Sequence, residues 1–362
     1  MKNHYYKDKI VYTGIDVHKK TYTCVSICEG QVVKRDTMPA KPELLLRYLK
    51  NTFHEAASIH SAYEAGFSGF HLHRCLVANG INNSVIHPGS IEVASRDRVK
   101  TDKRDALKIA TQLAAGRLHG IFVPSLEREE KRSVSRLRAA LMRKRLRAAQ
   151  QIKALLFTQG LIEIEDETVL CEQWLTQKLD EVSNANFSDD FCFTINHYAN
   201  QWRYLTQCVK DVEKKLSVQA RQDDGLQRIY ESVPGIGSIH ARQLINELGD
   251  MKQFSSEKRL FSYTGLTPSE HSSGERIWQG HITRQGNPLL RHILVEAAWV
   301  AITEDPSLQE IMDRITRSSG KKRAIVAVAR RLIARIRSCV LNGTLYEIKP
   351  SSKDLLLQEK VA

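Results

Sequence analysis

The chain opens on short apolar segments separated by turn residues. Ile10–Asp16 is apolar and β-branched, Thr21–Ile27 alternates, Glu29-Gly30 forms a turn, and Gln31–Thr37 returns. That pattern predicts three strands joined as hairpins. Pro42 then opens a helix carrying Leu44, Leu45, Leu46, Tyr48 and Leu49. A strand at about 57–63, a helix from about 67 to Asn79-Gly80, and a strand Ser84–His87 closed by Pro88 come next. Thr101 is placed to cap a helix that runs to about Gly116.

Three antiparallel strands followed by alternating helix and strand predict an RNase H-like α/β domain. A generic doubly wound domain is the competitor, but it would not begin on a hairpin meander. From about Glu127 the pattern changes. Residues 127–153 hold ten Lys/Arg and three Glu, with Leu137, Leu141, Leu146 and Ile152 interleaved and no Gly or Pro. They predict one long basic helix. Residues 161–226 are helical in pattern, with Trp174, Leu175, Leu179, Trp202, Leu205, Val209, Val212 and Leu216. A helical arm or coiled-coil hairpin is expected there, its heptads too irregular to fix an oligomer. Asp223-Asp224-Gly225 marks a boundary, and 226–345 is helical with Gly-rich interruptions. The expected class is therefore α/β plus all-α. Its divisions fall at 1–125, 126–225 and 226–345, with a tail at 346–362.

Composition sharpens the choice of partner. In 362 residues, 54 Lys+Arg against 41 Asp+Glu give a formal charge of +13. Such a surplus suits a phosphate-rich partner, because neutralised phosphates release condensed counterions. The seven cysteines are scattered, without C-x-x-C spacing, and Cys24 and Cys28 would face one side of a strand. That is no zinc signature; reduced, mostly buried thiols are expected. No stretch reaches the roughly 18 apolar residues of a membrane span, and the N-terminus carries no apolar signal core. A cytoplasmic, non-membrane protein is expected.

Candidate chemistry begins with four acids. Asp16 ends an apolar strand after Gly14-Ile15, and Glu64 ends the strand His60-Ser61-Ala62-Tyr63. A half-buried carboxylate is costly unless a cation or hydrogen bond meets it, although a strand-end acid can also merely cap a turn. Asp102 and Asp105 stand i, i+3 at a helix start and project from one face. Acids there also serve simply to stabilise the helix dipole. In an RNase H-like sheet these elements are neighbours, so the four acids would converge on one edge. Clustered carboxylates repel and persist mainly where divalent cations neutralise them. Mg²⁺, with carboxylate, water and phosphate ligands, is the expected ion, two per site, with Mn²⁺ as an alternative.

Further along, Val233-Pro234-Gly235-Ile236-Gly237-Ser238 before a helical Ile239–Leu248 reads as a helix-hairpin-helix or as a plain αα turn. In the first case Gly235 and Gly237 let backbone amides approach a phosphate. A polar loop follows, with Ser272-Ser273-Gly274 and then Gly280 to Gly286, including Arg284. A serine there is a weak nucleophile unless a base, metal or cation activates it. Residues 311–340 hold nine Lys/Arg and one acid, Asp313, over an apolar face of Ile325, Val326, Val328, Leu332, Ile333 and Ile336. That reads as a basic amphipathic helix. The residues expected to contact nucleic acid are Arg136, Arg143, Lys144, Arg145, Gly235, Gly237, Arg284, Lys321, Lys322 and Arg323.

Together, G-I-D at 14–16, Y-E-A-G at 63–66, K-T-D-K-R-D-A at 100–106, V-P-G-I-G at 233–237, G-L-T-P at 265–268 and S-S-G at 272–274 resemble one family. Their order and spacing are those of DEDD transposases of the insertion-sequence family numbered one-hundred-and-ten, related to Piv-type DNA invertases. The resemblance covers roughly 10–125 and 230–345; the arm between matches only in helical character. Here Gly66-Phe67 follows Glu64-Ala65, where the family often has Thr-Gly, so the local loop differs.

The resemblance implies a RuvC-like N-terminal domain, a coiled-coil arm and a helical transposase domain. It implies Mg²⁺ on Asp16, Glu64, Asp102 and Asp105, and a phosphoserine link to DNA through Ser273, with Ser272 in reserve. It further implies double-stranded donor and target DNA, chosen by a structured non-coding guide, the bridge RNA, and a homo-oligomer (dimer or tetramer). A Piv-type invertase without guide RNA and a RuvC-type nuclease or resolvase using water remain chemically close. A non-catalytic RNA- or DNA-binding protein is the alternative outside enzymes.

Overall fold

The computed structural model describes residues 4–92, 101–163, 168–270, 278–283 and 285–351. Ser272, Ser273 and Arg284 lie outside them. The chain divides into two compact units, Met1–Pro124 and Ser125–Ala362.

The first unit is built on a five-stranded sheet in the order β3-β2-β1-β4-β5. β1 (Ile10–Val17), β2 (Thr21–Cys28) and β3 (Gln31–Pro39) form an antiparallel meander. β4 (Ser58–Glu64) and β5 (Asn82–Ile86) add to β1 in parallel, which places β1 at the centre. β2 is buried almost throughout, its polar Thr23 and Ser26 paired with Thr37 and Thr13 on neighbouring strands, whereas edge strand β3 is largely exposed and charged.

One face packs against α1 (Pro42–Thr52) and α2 (His71–Ala78), with Val11, Ile15, Leu45, Leu49, Leu72 and Leu76 in its core. Over the other face lies α3 (Asp102–Ala114), which contributes Ile109 to a smaller cluster with Ala62 and Ile86. Two boundaries differ from expectation. α2 starts at His71 rather than near 67, because residues 66–70 form turns. Thr101 occupies the cap position of α3, but its side chain makes no capping bond.

The second unit is helical. α4 (Leu126–Thr158) and α6 (Asp189–Arg221) each have 33 residues, about 50 Å at helical rise. They run antiparallel, as the pairs Arg138–Glu213 and Gln151–Tyr198 require. α5 (Glu172–Asn184) closes their apolar seam around Ile152, Leu156, Leu175, Ile195 and Trp202.

α7 (Asp224–Glu231), α8 (Ser238–Leu248) and α9 (Glu257–Thr264) lead into a hairpin of β6 (Pro268–Glu270) and β7 (Gln279–Ile282). The polar stretch read as a loop thus contains a small sheet. α10 (Pro288–Glu304), α11 (Pro306–Ser319) and α12 (Lys321–Asn342) complete the unit. The single basic helix expected at 311–340 is two helices, broken at Gly320, whose φ of 80° is outside the helical range. Tyr346, just past the expected domain end, is 8% exposed and belongs to this core.

Where α4 meets α8 the packing is polar. Glu247 is fully buried and takes a two-pronged bond from Arg136, Nε to Oε1 at 2.7 Å and Nη2 to Oε2 at 3.0 Å. Arg132 adds Nε 3.6 Å from Glu247 Oε2, and its guanidinium donates to the Glu247 carbonyl at 2.7 Å. Beside it Arg242, 2% exposed, bonds Asp223, Asn246 and the Gln219 carbonyl. Of the basic helix's cations, Arg132 is therefore an internal fastener, and Arg136, although its side chain is 60% exposed, is tied to the same buried carboxylate. The thiols also differ from expectation: only Cys24 and Cys28 are buried, and Cys171 is exposed.

Candidate active site

Asp16 is the penultimate residue of β1, and the register that pairs Gly14 with Ala62 and Ile15 with Tyr63 sets it beside Glu64 of β4. Residues i and i+2 of a strand share a face, so Asp16 lies on the face of Gly14, the one covered by α3. Helix and strand approach so closely there that a Cβ on Gly14 would stand 2.0 Å from the Ala106 carbonyl oxygen and 2.5 Å from Ala110 N. Only glycine allows that contact. It brings the first turn of α3, with Asp102 and Asp105, to the end of β1.

His18 joins the two elements. Its backbone N–H donates to the Thr21 carbonyl at 2.9 Å, fixing the residue at the start of the β1–β2 turn. Its Nε2 lies 3.1 Å from Asp16 Oδ2 and 3.2 Å from Asp102 Oδ1. One ligand atom from each of Asp16, His18 and Asp102 falls within 4.8 Å of the others. Carboxylate oxygens with one imidazole nitrogen are a donor set that fits a divalent cation.

Asp105 is turned toward Lys108, with Nζ 3.3 Å from its Oδ1, and Glu64 is exposed at the end of β4. Neither is in the three-residue group. Burial pushes the Asp16 carboxyl above its ordinary pKa; His18 opposes the shift, and the charges of Asp102 and Asp105 add to it. A group that resists ionisation beside two further acids gains most from a bound cation.

The sequence reading overlooked His18. Its signal was present: an imidazole two residues after a strand-end aspartate falls on the same side of the chain. It was overlooked because position 18 begins a polar turn, His18-Lys19-Lys20, that reads as solvated surface.

In the second unit, Arg143 and Lys144 are exposed and Arg145 is half-buried, whereas Arg136 is held by Glu247. Arg143 and Arg145 line a cleft of about 1980 Å³ together with Lys210, His240, Asn287 and His292. Lys321, Lys322 and Arg323 stand exposed in the first turn of α12, which has no acid there. Gly235, with φ of 79°, is required by packing: a Cβ would meet the Ala297 carbonyl oxygen and Val300 Cβ at 2.8 Å. Gly237 caps α8 in open space.

Comparison with known proteins agrees with these features. Residues 13–158 match the family model of IS110-type DEDD transposases, and residues 227–313 match the model described as the transposase IS116/IS110/IS902 family. The chain is 27% identical to the transposase for insertion sequence element IS1533 of Leptospira borgpetersenii, over 96% of this chain and 99% of that protein. It is 28% identical to the putative transposase y4qE of Sinorhizobium fredii, over 92% of this chain and 82% of the relative. The transposase for insertion sequence element IS1111A of Coxiella burnetii is 24% identical over 72% and 71%. With two family models together spanning most of its length and relatives that align nearly end to end, the chain belongs to the IS110/IS116 family of transposases.

Proposed function

We propose that this transposase cuts and rejoins DNA with a divalent cation and a serine nucleophile, at sites chosen by a bridge RNA. The observation that carries the reading is the convergence of Asp16 and Asp102 through His18 at the end of the central strand. Strand order β3-β2-β1-β4-β5, antiparallel and then parallel, supports a RuvC/RNase H-like catalytic domain over 1–125. The remaining divisions are the basic helix and arm at 126–225, the transposase domain from 226, expected to end at 345 but holding Tyr346 in its core, and the tail after it.

Membership of a DEDD family implies divalent-metal chemistry. Asp16, Glu64, Asp102 and Asp105 would hold Mg²⁺, as a pair of ions, with Mn²⁺ as a substitute. The ions' contribution is to polarise the scissile phosphate and neutralise its charge. Ser273, or Ser272 in its place, would attack phosphorus through its hydroxyl oxygen. The bond to the 3′ oxygen breaks, that oxygen gains the proton, and a 5′-phosphoserine link preserves the energy for rejoining.

Cations are assigned to donor DNA, target DNA and guide RNA: Arg143, Lys144 and Arg145 on α4, Lys321, Lys322 and Arg323 on α12, and Arg284, which lies outside the described residues. The turn at Gly235 and Gly237, read as a helix-hairpin-helix, would offer backbone amides to phosphate. A homo-oligomer would supply both partners of strand exchange. Work at the nucleoid in the cytoplasm is part of this reading; separately, no described helix is long and apolar enough to cross a membrane.

The test is covalent trapping on labelled DNA in Mg²⁺ with RNA that co-purifies. Wild type is expected to form a protein–DNA adduct and Ser273→Ala none. An adduct that persists in the variant removes Ser273 from the mechanism. Cut products without any adduct would instead indicate water as nucleophile. Sequencing the co-purified RNA tests guidance, since an abundant structured species is expected.

A further inference from the structure

Three segments of the chain deliver the donors at the β1 end: the strand itself, the turn that follows and the first turn of α3. The imidazole is the unusual member, because Mg²⁺ is ordinarily held by oxygen alone, whereas transition-metal ions, Mn²⁺ the least avid of them, accept an imidazole nitrogen more readily. We propose that His18 is itself a ligand of the divalent cation, through Nε2, and that it tilts the site toward Mn²⁺ over Mg²⁺. The proposal rests on the metal-site reading above and adds a nitrogen ligand to it.

Geometry supports a ligand rather than a bystander. Nε2 is 3.1 Å from Asp16 Oδ2 and 3.2 Å from Asp102 Oδ1. Adjacent ligands of an octahedral ion with bonds of about 2.1 Å stand about 3.0 Å apart. Both contacts thus already have the spacing of neighbouring ligand positions, and a cation would enter with little rearrangement. Two further features hold the ring there. The His18 backbone is pinned to Thr21, and Asp102 is brought across by the glycine contact of α3 on β1. A donor set fixed by backbone contacts is preorganised. At 48% side-chain exposure, His18 leaves solvent and substrate access to the remaining coordination positions.

A competing role is a spacer. A protonated His18 would bridge the two carboxylates only until metal displaces it. The two roles predict opposite outcomes for the full-length protein titrated with MnCl₂ and MgCl₂. As a ligand, His18→Ala weakens Mn²⁺ binding at least about tenfold and Mg²⁺ binding less than about threefold. As a spacer, its loss leaves Mn²⁺ binding unchanged or tighter, which overturns the proposal.

Pulsed electron paramagnetic resonance of bound Mn²⁺ reads the ligand directly. Nitrogen coupling in the wild type, lost in His18→Ala, is expected; its absence in the wild type overturns the assignment. Asp16→Asn separates this inference from the reading beneath it. If wild type and Asp16→Asn bind Mn²⁺ equally weakly, the metal site itself fails and His18 with it. If Asp16→Asn alone abolishes binding while His18→Ala does not, the site stands and only the imidazole assignment falls.

Discussion

Gly14→Ala adds one methyl group at the contact on which the candidate active site depends. The new Cβ would lie 2.0 Å from the Ala106 carbonyl oxygen, against an ordinary separation of about 3.4 Å, so α3 must retreat by roughly 1.4 Å or tilt. Overpacking of this kind costs about 1–3 kcal/mol. Amides of α3 that exchange by local opening would then exchange about 5- to 150-fold faster, which mass spectrometry of deuterium uptake resolves. Asp102, in the first turn of the displaced helix, would move beyond the 3.2 Å that now separates it from His18. Misplacement of a catalytic group by about 1 Å can cost on the order of a hundredfold in rate. The expected result is faster exchange confined to α3 and its strand contacts, weaker Mn²⁺ binding and little strand transfer. Wild-type α3 protection together with wild-type Mn²⁺ affinity would refute the claim that the glycine contact assembles the site.

Three further predictions concern the second unit. Arg143→Glu with Arg145→Glu should weaken nucleic-acid binding at unchanged thermal stability and lower the slope of log affinity on log salt by about 2, one per lost phosphate contact. Arg136→Ala is the contrasting control: it should cost about 1–2 kcal/mol by urea unfolding, less than breaking a buried pair because the Arg136 side chain is 60% exposed and Arg132 stays within 3.6 Å of Glu247, and change the salt slope less than the double variant does. Asp305 is fully buried, accepts bonds from Ser307, Leu308, Arg335 and Tyr346, and is held below its ordinary pKa of 3.8. Although burial opposes ionisation, these donors outweigh it, so the folded pKa is the lower one and the stabilisation is full above about pH 4 and drains as pH falls through the folded value. Asp305→Asn should therefore cost about 3 kcal/mol at pH 7, with the gap to wild type closing in acid; an equal gap at pH 7 and pH 3 would contradict this.

Much of the first unit was legible because its signals are local. The alternation of Thr21–Ile27, the turn at Glu29-Gly30 and the apolar run before Asp16 are each decided within a few residues. Asp102 and Asp105 could be placed on one helix face by their spacing alone. His18 was hidden because its neighbours Lys19 and Lys20 suggest a solvated turn, and only α3 folding back supplies its second partner. The basic helix was read correctly as a helix but incompletely as a surface. Arg136 finds Glu247 111 residues away, and no periodicity within α4 reports that separation. Gly320 was likewise passed over, since the apolar period is regained immediately after it.

The polar join between α4 and α8 bears on how such a protein can be rebuilt. Glu247 has no contact with solvent, so its carboxylate oxygens depend for their partners on arginines supplied by another helix. A chimera that exchanged residues 126–225 for an arm without cations at positions 132 and 136 would enclose an orphan carboxylate. The graft would then fail at its root, however well its apolar seam matched. Successful exchange would require moving the arm and Glu247 as one inheritable block, or replacing acid and arginines together by apolar residues of similar volume.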